Sequence, residues 1–335
     1  MRPRSRATLL LAAFLALALL LPLGGCAPRS APEDTAGDGG EDTVLLGFSQ
    51  LGRESAWRMG NSRDIQEAAE RAGVQLMYDN AQQEQENQIK AIRSFIAYQV
   101  DVIAFAPIVE QGWDTVLTEA RDAGIPVLLT DRFIVTEDPS LYVGYVGADF
   151  LAEGRKAGAF LVEKADREGL EDLKIVELSG TLSSTPMQQR SSGFREMIAG
   201  DARFEILETV SGDFLRSKGK ECMIALLERH ERIDVLFSHN DSMTLGAIEA
   251  IEEAGLRPGE DIIIITVDGE QAAIDLLQEG KINCVVECTP MLGDIIMDLT
   301  KKLAAGEEIP RVTHPEEDVF CEFDADLMDI PPRGY

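Results

Sequence analysis

The sequence predicts an α/β protein of two doubly wound lobes, each built on a parallel sheet, behind an export signal and a tether. Three observations carry this. From Thr43 onward, short apolar runs alternate with longer stretches of helical periodicity. The alternation restarts near Asp149. And a chain of 335 residues is too long for one comfortable hydrophobic core.

The chain opens with Arg2, Arg4 and Arg6, an apolar run from Leu9 to Leu21, and Leu23-Gly-Gly-Cys26. A basic start, an apolar middle and small residues before a cysteine read as an export signal, and the run is too short for a spanning helix. Leu-Gly-Gly-Cys resembles the bacterial lipobox, which implies cleavage before Cys26 and its lipidation; an uncleaved anchor or an ordinary signal peptide is the alternative. Residues 1–25 are therefore read as signal. Residues 26–42, rich in Ala, Pro, Ser, Gly and acids, cannot pack a core and read as a flexible tether.

Losing 25 residues and three arginines leaves 310 residues and takes the formal charge from −28 to −31. Such a chain does not bind nucleic acid, which needs cations against its phosphates. It is also repelled by anionic headgroups, so membrane attachment falls to the lipid on Cys26. Four more cysteines, Cys222, Cys284, Cys288 and Cys321, form no CxxC pair, which argues against a zinc ribbon or thioredoxin-type site. Cys284 and Cys288 stand about 13 Å apart along a strand, beyond disulfide reach; whether any of the four pair stays open. His230, His239 and His314 are scattered, so no metal and no cofactor is expected.

In the first half, strands are expected at 44–48, 74–78, 100–105 and 125–130, with a fifth near 141–147, and helices near 57–72, 84–98 and 112–123. Ile65, Ala68, Ala69 and Ala72 share one helix face, as do Ile89, Ile92 and Ile96. Gly73 and Gly124 stand where a left-handed cap wants glycine. The second half reads as helix 150–167, strand 173–178, helix 187–199, strand 204–210, helix 215–229, strand 233–238, helix 242–254, strand 261–267, helix 271–278, strand 281–288, helix 291–304 and a short strand 319–323. Such alternation predicts parallel sheets covered on both faces.

Candidate ligand residues stand where strands end, the ligand edge of an open α/β sheet. After the first strand come Glu54, Ser55, Ala56, Trp57 and Arg58. Gly47-x4-Gly52 is half of a phosphate loop, but Arg53-Glu54 replace the Lys-Ser/Thr pair that would hold phosphate and magnesium. A neutral polyol fits better: Trp57 offers a flat face, Glu54 an acceptor and Arg58 a fork of donors. Other strand ends carry Asp131-Arg132, His239-Asn240-Asp241, Asp268-Gly269 and Glu287-Cys288-Thr289. Alone, Asp131-Arg132 would be a simple turn; together these ends can line a cleft between two lobes. Trp113 is read as packing, His239 as a structural polar group, and Phe214 as either core or cleft wall.

Specific stretches add a resemblance. Gly47-Phe-Ser-Gln50 with Glu54-Ser55 and Trp57-Arg58, Glu86-Asn-Gln-Ile-Lys-Ala-Ile-Arg-Ser-Phe95, Asp131-Arg132, Arg190-x-x-Gly-Phe194, Ser211-Gly-Asp-Phe214, His239-Asn-Asp-x-Met243, Val267-Asp-Gly269 and Val286-Glu-x-Thr-Pro290 resemble the ribose- and galactose-type periplasmic sugar-binding proteins of ABC importers. Within that family the chain looks most like the galactofuranose-binding branch. The resemblance implies the periplasmic binding protein type I fold, with lobes at 43–147 plus 289–315 and 148–288 plus 316–335, joined by three crossovers near 147–149, 288–290 and 314–316. It implies sugar contacts from Glu54 to Arg58, Asp131 and Arg132 in one lobe, and from Arg190, Phe214, Asn240 and Asp268 in the other. Cys288 falls where ribose binders carry a cleft glutamine, and Glu287 is the alternative at that point. The implied function is non-enzymatic: a monomeric, lipid-anchored receptor that closes on a monosaccharide and hands it to an ABC permease. A sensor presenting sugar to a chemoreceptor or histidine kinase is the alternative, and a sugar-processing enzyme a weaker one. A repressor of the same fold would need a DNA-binding segment where the signal and acidic tether stand.

Overall fold

The computed structural model describes residues 43–335; the signal, lipobox and tether readings lie outside the described residues. The first sheet is built from β1 (Leu45–Gln50), β2 (Gln75–Asn80), β3 (Val102–Phe105), β4 (Val127–Thr130) and β5 (Gly144–Val146), connected through α1 (Ala56–Ala72), α2 (Gln85–Tyr98) and α3 (Asp114–Asp122). The chain then runs through α4 (Phe150–Glu168), β6 (Leu173–Ser179), α5 (Thr185–Ile198), β7 (Phe204–Ser211), α6 (Arg216–Arg229), β8 (Val235–Ser238), α7 (Asp241–Glu253), β9 (Ile263–Asp268), α8 (Gln271–Gln278) and β10 (Cys284–Glu287). It closes with α9 (Gly293–Ala304), β11 (Val312–Thr313) and β12 (Val319–Cys321).

The two sheets are wound alike: β11-β5-β4-β3-β1-β2 and β12-β10-β9-β8-β6-β7. Pairing is parallel throughout, except that β12 runs antiparallel to β10. This is the two-lobed α/β architecture that the sequence predicts. Each sheet is apolar on both faces because each face carries helices: along β3, Val102 and Ala104 pack into one cluster and Ile103 and Phe105 into another, the two-residue period of a strand.

The chain crosses between sheets three times. It leaves β5 for α4, which packs on α5 and β10. It returns after β10 into α9, which packs on α1, and it crosses again between β11 and β12. The third helix begins later than its periodicity suggests, because Gly112 adopts φ +90° and Trp113 turns inward, its Nε1 donating to Val109 O at 2.7 Å. Trp113 is thus core, stacked obliquely on Phe105. The fifth strand is shorter than expected, since 139–141 is a turn of 3-10 helix whose start is capped by Asp138. Strand β11 has no counterpart in the sequence reading; two residues are too few to show alternation.

Candidate functional site

The carboxyl ends of the two sheets face each other across a cleft. From the first sheet come Glu54, Ser55, Trp57, Arg58, Asp131 and Arg132, and from the second Arg190, Phe214, Asn240, Asp268 and Cys288; Phe150 and Pro186 complete the lining. Of the twelve residues expected there, Ala56 is the exception. It opens α1 one step before Trp57, which turns it about 100° around the helix axis and out of the lining. Glu287 does not face the cleft: it pairs with Arg333 and accepts from Asp318 N. Successive strand residues point to opposite faces, so Cys288, not Glu287, is presented.

The first jaw is organised by Arg58. Its Nε donates to Glu54 Oε1 (2.9 Å), its two terminal nitrogens to Gln50 Oε1 (3.2 Å) and Asp131 Oδ2 (2.5 Å), and the guanidinium lies 4.6 Å from the Trp57 ring centre. Burial works against its charge, but Asp131 and Glu54 outweigh it and hold Arg58 above its ordinary value. Arg132 is poorer in partners. Burial pulls it down to about 10, against the neighbouring Asp131 and helped by Arg58. One terminal nitrogen donates to Ile108 O at 3.0 Å, and its Nε has no partner among the described residues. Glu54 Oε2 is likewise unpaired.

The second jaw is organised by Arg190, held by Glu153 Oε2 (2.6 Å) and by the carbonyl of His239, with Asp268 Oδ1 at 3.9 Å. Burial opposes its charge, yet Glu153 and its neighbours raise it. Burial drives Asp268 well upward, against Arg190 and helped by Asp241. His239 sits beneath, bonded through Nε2 to Glu177 at 2.9 Å, and burial lowers it. It is a structural polar group. Asn240 caps α7, its Oδ1 accepting from Met243 N at 3.0 Å, which leaves its amide near Phe214 O at 3.4 Å. Ser55 caps α1 through Arg58 N at 3.1 Å.

Three cleft residues carry backbone strain. Asp131, Phe214 and Asp268 adopt φ of 60°, 62° and 128°, conformations costly for residues with a Cβ and kept where the surroundings over-determine them. Phe214 has its seat because position 180 is glycine: a Cβ there would lie 1.9 Å from the ring.

Other polar groups were not legible from the sequence. Glu110 in the first lobe takes bonds from Thr185 Oγ1 (3.1 Å) and Gln188 Nε2 (2.8 Å) in the second. Trp57 N donates to Glu270 Oε1 at 3.2 Å, and Trp57 Nε1 to Cys288 O at 2.6 Å. These bonds tie the jaws together. Behind Arg190, Glu153, Cys288 and Glu317 lie within 4.8 Å of one another. Each belongs to a different crossing, so no local pattern announces the set. It has the donor types for a cation, but the simpler occupant is a proton. Burial, then Glu153, pushes Glu317 up to about 8.

Asp241 is also pushed up to about 8, by burial and then Glu270. An acid raised on folding binds its proton more tightly in the native state. The stability it contributes is full below its unfolded value, near 4, and is lost as pH rises through about 8. Thermal melts should therefore shift downward between about pH 5 and pH 9, and Glu317→Gln should flatten that fall. A melting temperature that rises across this window would contradict both assignments.

The family model described as periplasmic binding protein domain matches residues 46–308. The chain belongs to the periplasmic binding protein family. Over 270 residues this binding protein is 41% identical to the galactofuranose-binding protein YtfQ of Escherichia coli (strain K12), spanning 80% of this chain and 84% of the relative. A crystal structure from Mycobacterium smegmatis in complex with β-D-fucofuranose shares 46% identity at a TM-score of 0.83, covering 86% of this binding protein and 93% of that chain. The periplasmic component of the arabinose ABC transporter from Shewanella sp. ANA-3, bound to α- and β-L-arabinofuranose, shares 40% identity at a TM-score of 0.81, covering 85% and 94%.

Proposed function

We propose that this chain is the substrate-binding protein of a sugar ABC importer and that its ligand is a monosaccharide in the furanose form. It binds and does not catalyse, as the family and its relatives do. Relatives named for import and for ABC transporters favour delivery to a permease over presentation to a sensor. The observation that supports the site most directly is the pair of unpaired buried atoms in the cleft walls, an acceptor at Glu54 Oε2 and a donor at Arg132 Nε. A sugar hydroxyl both donates and accepts. Charge-assisted bonds to such groups contribute about 1.5–3 kcal/mol each, so a few of them reach micromolar affinity. Trp57, Phe150 and Phe214 supply the flat apolar faces.

Calorimetry against galactose, fucose, arabinose, ribose and fructose tests this reading. A methyl pyranoside cannot open to a furanose, so it should fail where the free sugar binds. Binding of none of the five sugars would overturn the function, and equal binding of the locked pyranoside would overturn the ring form.

Closure moves the lobes 43–147 plus 289–315 and 148–288 plus 316–335 about the three crossings. Ligand should lower the radius of gyration in solution scattering, because it binds the closed state better. Glu110→Ala should enlarge the ligand-free protein and speed sugar release. The protein acts as a monomer held to the membrane by lipid on Cys26, and Cys26→Ala should release it into the soluble fraction. Retention of that variant on membranes would refute the anchor.

A further inference from the structure

We propose that Cys284 and Cys321 are joined by a disulfide in the exported protein, stapling the strand pair that brackets two of the three crossings. The two cysteines face each other across β10 and β12: Cys284 pairs with Cys321, Val285 with Phe320 and Val286 with Val319 in antiparallel register. Glu322 N donates to Asn283 O at 3.0 Å and Glu287 N to Asp318 O at 2.9 Å. Hydrogen-bonded pairs alternate along an antiparallel ladder, so Cys284 and Cys321 occupy a non-hydrogen-bonded position. There the Cα atoms approach to about 4.5 Å, inside the span of about 4.4–6.8 Å found for disulfides.

The side chains lie on the face the register gives them, both as free thiols, with Cys321 Sγ donating to Asp324 Oδ1 at 3.5 Å. Cys284 belongs to the core cluster that includes Val286 and Ile265, and Cys321 packs against that same cluster. Val285 and Phe320 pack into the cluster on the opposite face. The other two cysteines have different surroundings. Cys222 on α6 gives its thiol to Ser211 O at 3.6 Å, and Cys288 lines the cleft. The family works outside the cytoplasm, where disulfides persist. Burial pushes Cys321 up to about 11 and holds Cys284 well above the ordinary thiol value.

The oxidant is a donor disulfide, either a small-molecule one or that of a thiol oxidase. The thiolate of one cysteine attacks a donor sulfur and displaces one donor thiol, leaving a mixed disulfide. The second cysteine's thiolate then attacks the protein sulfur and displaces the other donor thiol. The protein loses two electrons and two protons, and the donor disulfide gains both as two thiols. The closed loop runs from 284 to 321 and contains α9, β11 and the crossings near 288–290 and 314–316. Closing it removes freedom from the unfolded chain.

The test uses the full chain exported to an oxidising compartment, with no sugar present, so it stands apart from the ligand assignment. Its mass should be about 2 Da below the reduced form, a non-reducing peptide map should link Cys284 to Cys321, and of the four cysteines after Cys26, alkylation after denaturation should reach Cys222 and Cys288 only. Reduction should lower the melting temperature by about 5 °C, and Cys321→Ser should remove that sensitivity. Alkylation of Cys284 and Cys321 along with the other two, or a link between any other pair, would overturn the proposal. Mass and mapping on the unaltered chain decide it even if a serine variant folds poorly.

Discussion

Arg190→Ala is expected to abolish sugar binding and to destabilise the fold by about 3–5 kcal/mol. Arg190 is 3% exposed and Glu153 1%, and their bond is 2.6 Å long. Removing the cation leaves the Glu153 carboxylate uncompensated in a water-poor interior, beside Asp268 and Glu317. Breaking one partner out of a buried pair costs far more than the pair contributes intact, because the remaining charge is uncompensated. Urea unfolding should show the loss as a lower midpoint with little change in slope. Calorimetry well below the midpoint should show affinity reduced by more than about 100-fold. Arg190→Lys should recover part of the stability and little of the binding, since a lysine cannot span Glu153 and the His239 carbonyl as the planar fork does. Wild-type affinity in either variant would remove Arg190 from the site.

Arg58→Ala is expected to have an effect of similar size on binding through the other jaw. The change frees Glu54, Gln50 and Asp131 at once and strips the cation from the Trp57 face. Asp131 then keeps only Arg132, whose Nε is 3.8 Å away. That residue would swing to the carboxylate and vacate its place over Phe214, 5.5 Å from the ring centre in the opposite lobe. We expect affinity to fall by about 100-fold or more. The cost should be non-additive with Asp131→Asn, because both changes act on one network. Additive losses in that double-mutant cycle would mean that Arg58 and Asp131 meet the sugar independently.

What the sequence reveals and what it hides divide by distance along the chain. The central strands are legible because both of their faces are buried and their apolar runs are continuous. The start of α1 is legible in Ser55 and its end in Gly73, whose φ is 67°. Asp131, Asn240 and Asp268 are legible because polar residues after buried strands must lie at one edge of a sheet. Glu153, Glu317 and Glu110 are ordinary acids in an acidic sequence. They acquire roles only through partners 37, 28 and 75 or more residues away, and no local period encodes such a pairing. The choice between Glu287 and Cys288 is a question of parity: consecutive residues on one strand cannot both face the cleft, and the sequence does not say which face opens. Ala56 stands among cleft residues in the sequence, but its place at the start of α1 turns it out of the lining.

The two tryptophans of the chain have been given different lives by this fold. Trp57 stands in the ligand space, its indole bonded to the carbonyl of Cys288 at a crossing and its ring under a guanidinium. Trp113 is 1% exposed in the core of a single lobe and should hardly notice whether the jaws are open. Intrinsic emission therefore contains a reporter and an internal reference in one spectrum. Sugar uptake can be followed in real time on the unlabelled protein, and Trp57→Phe identifies the part of the signal that belongs to the cleft.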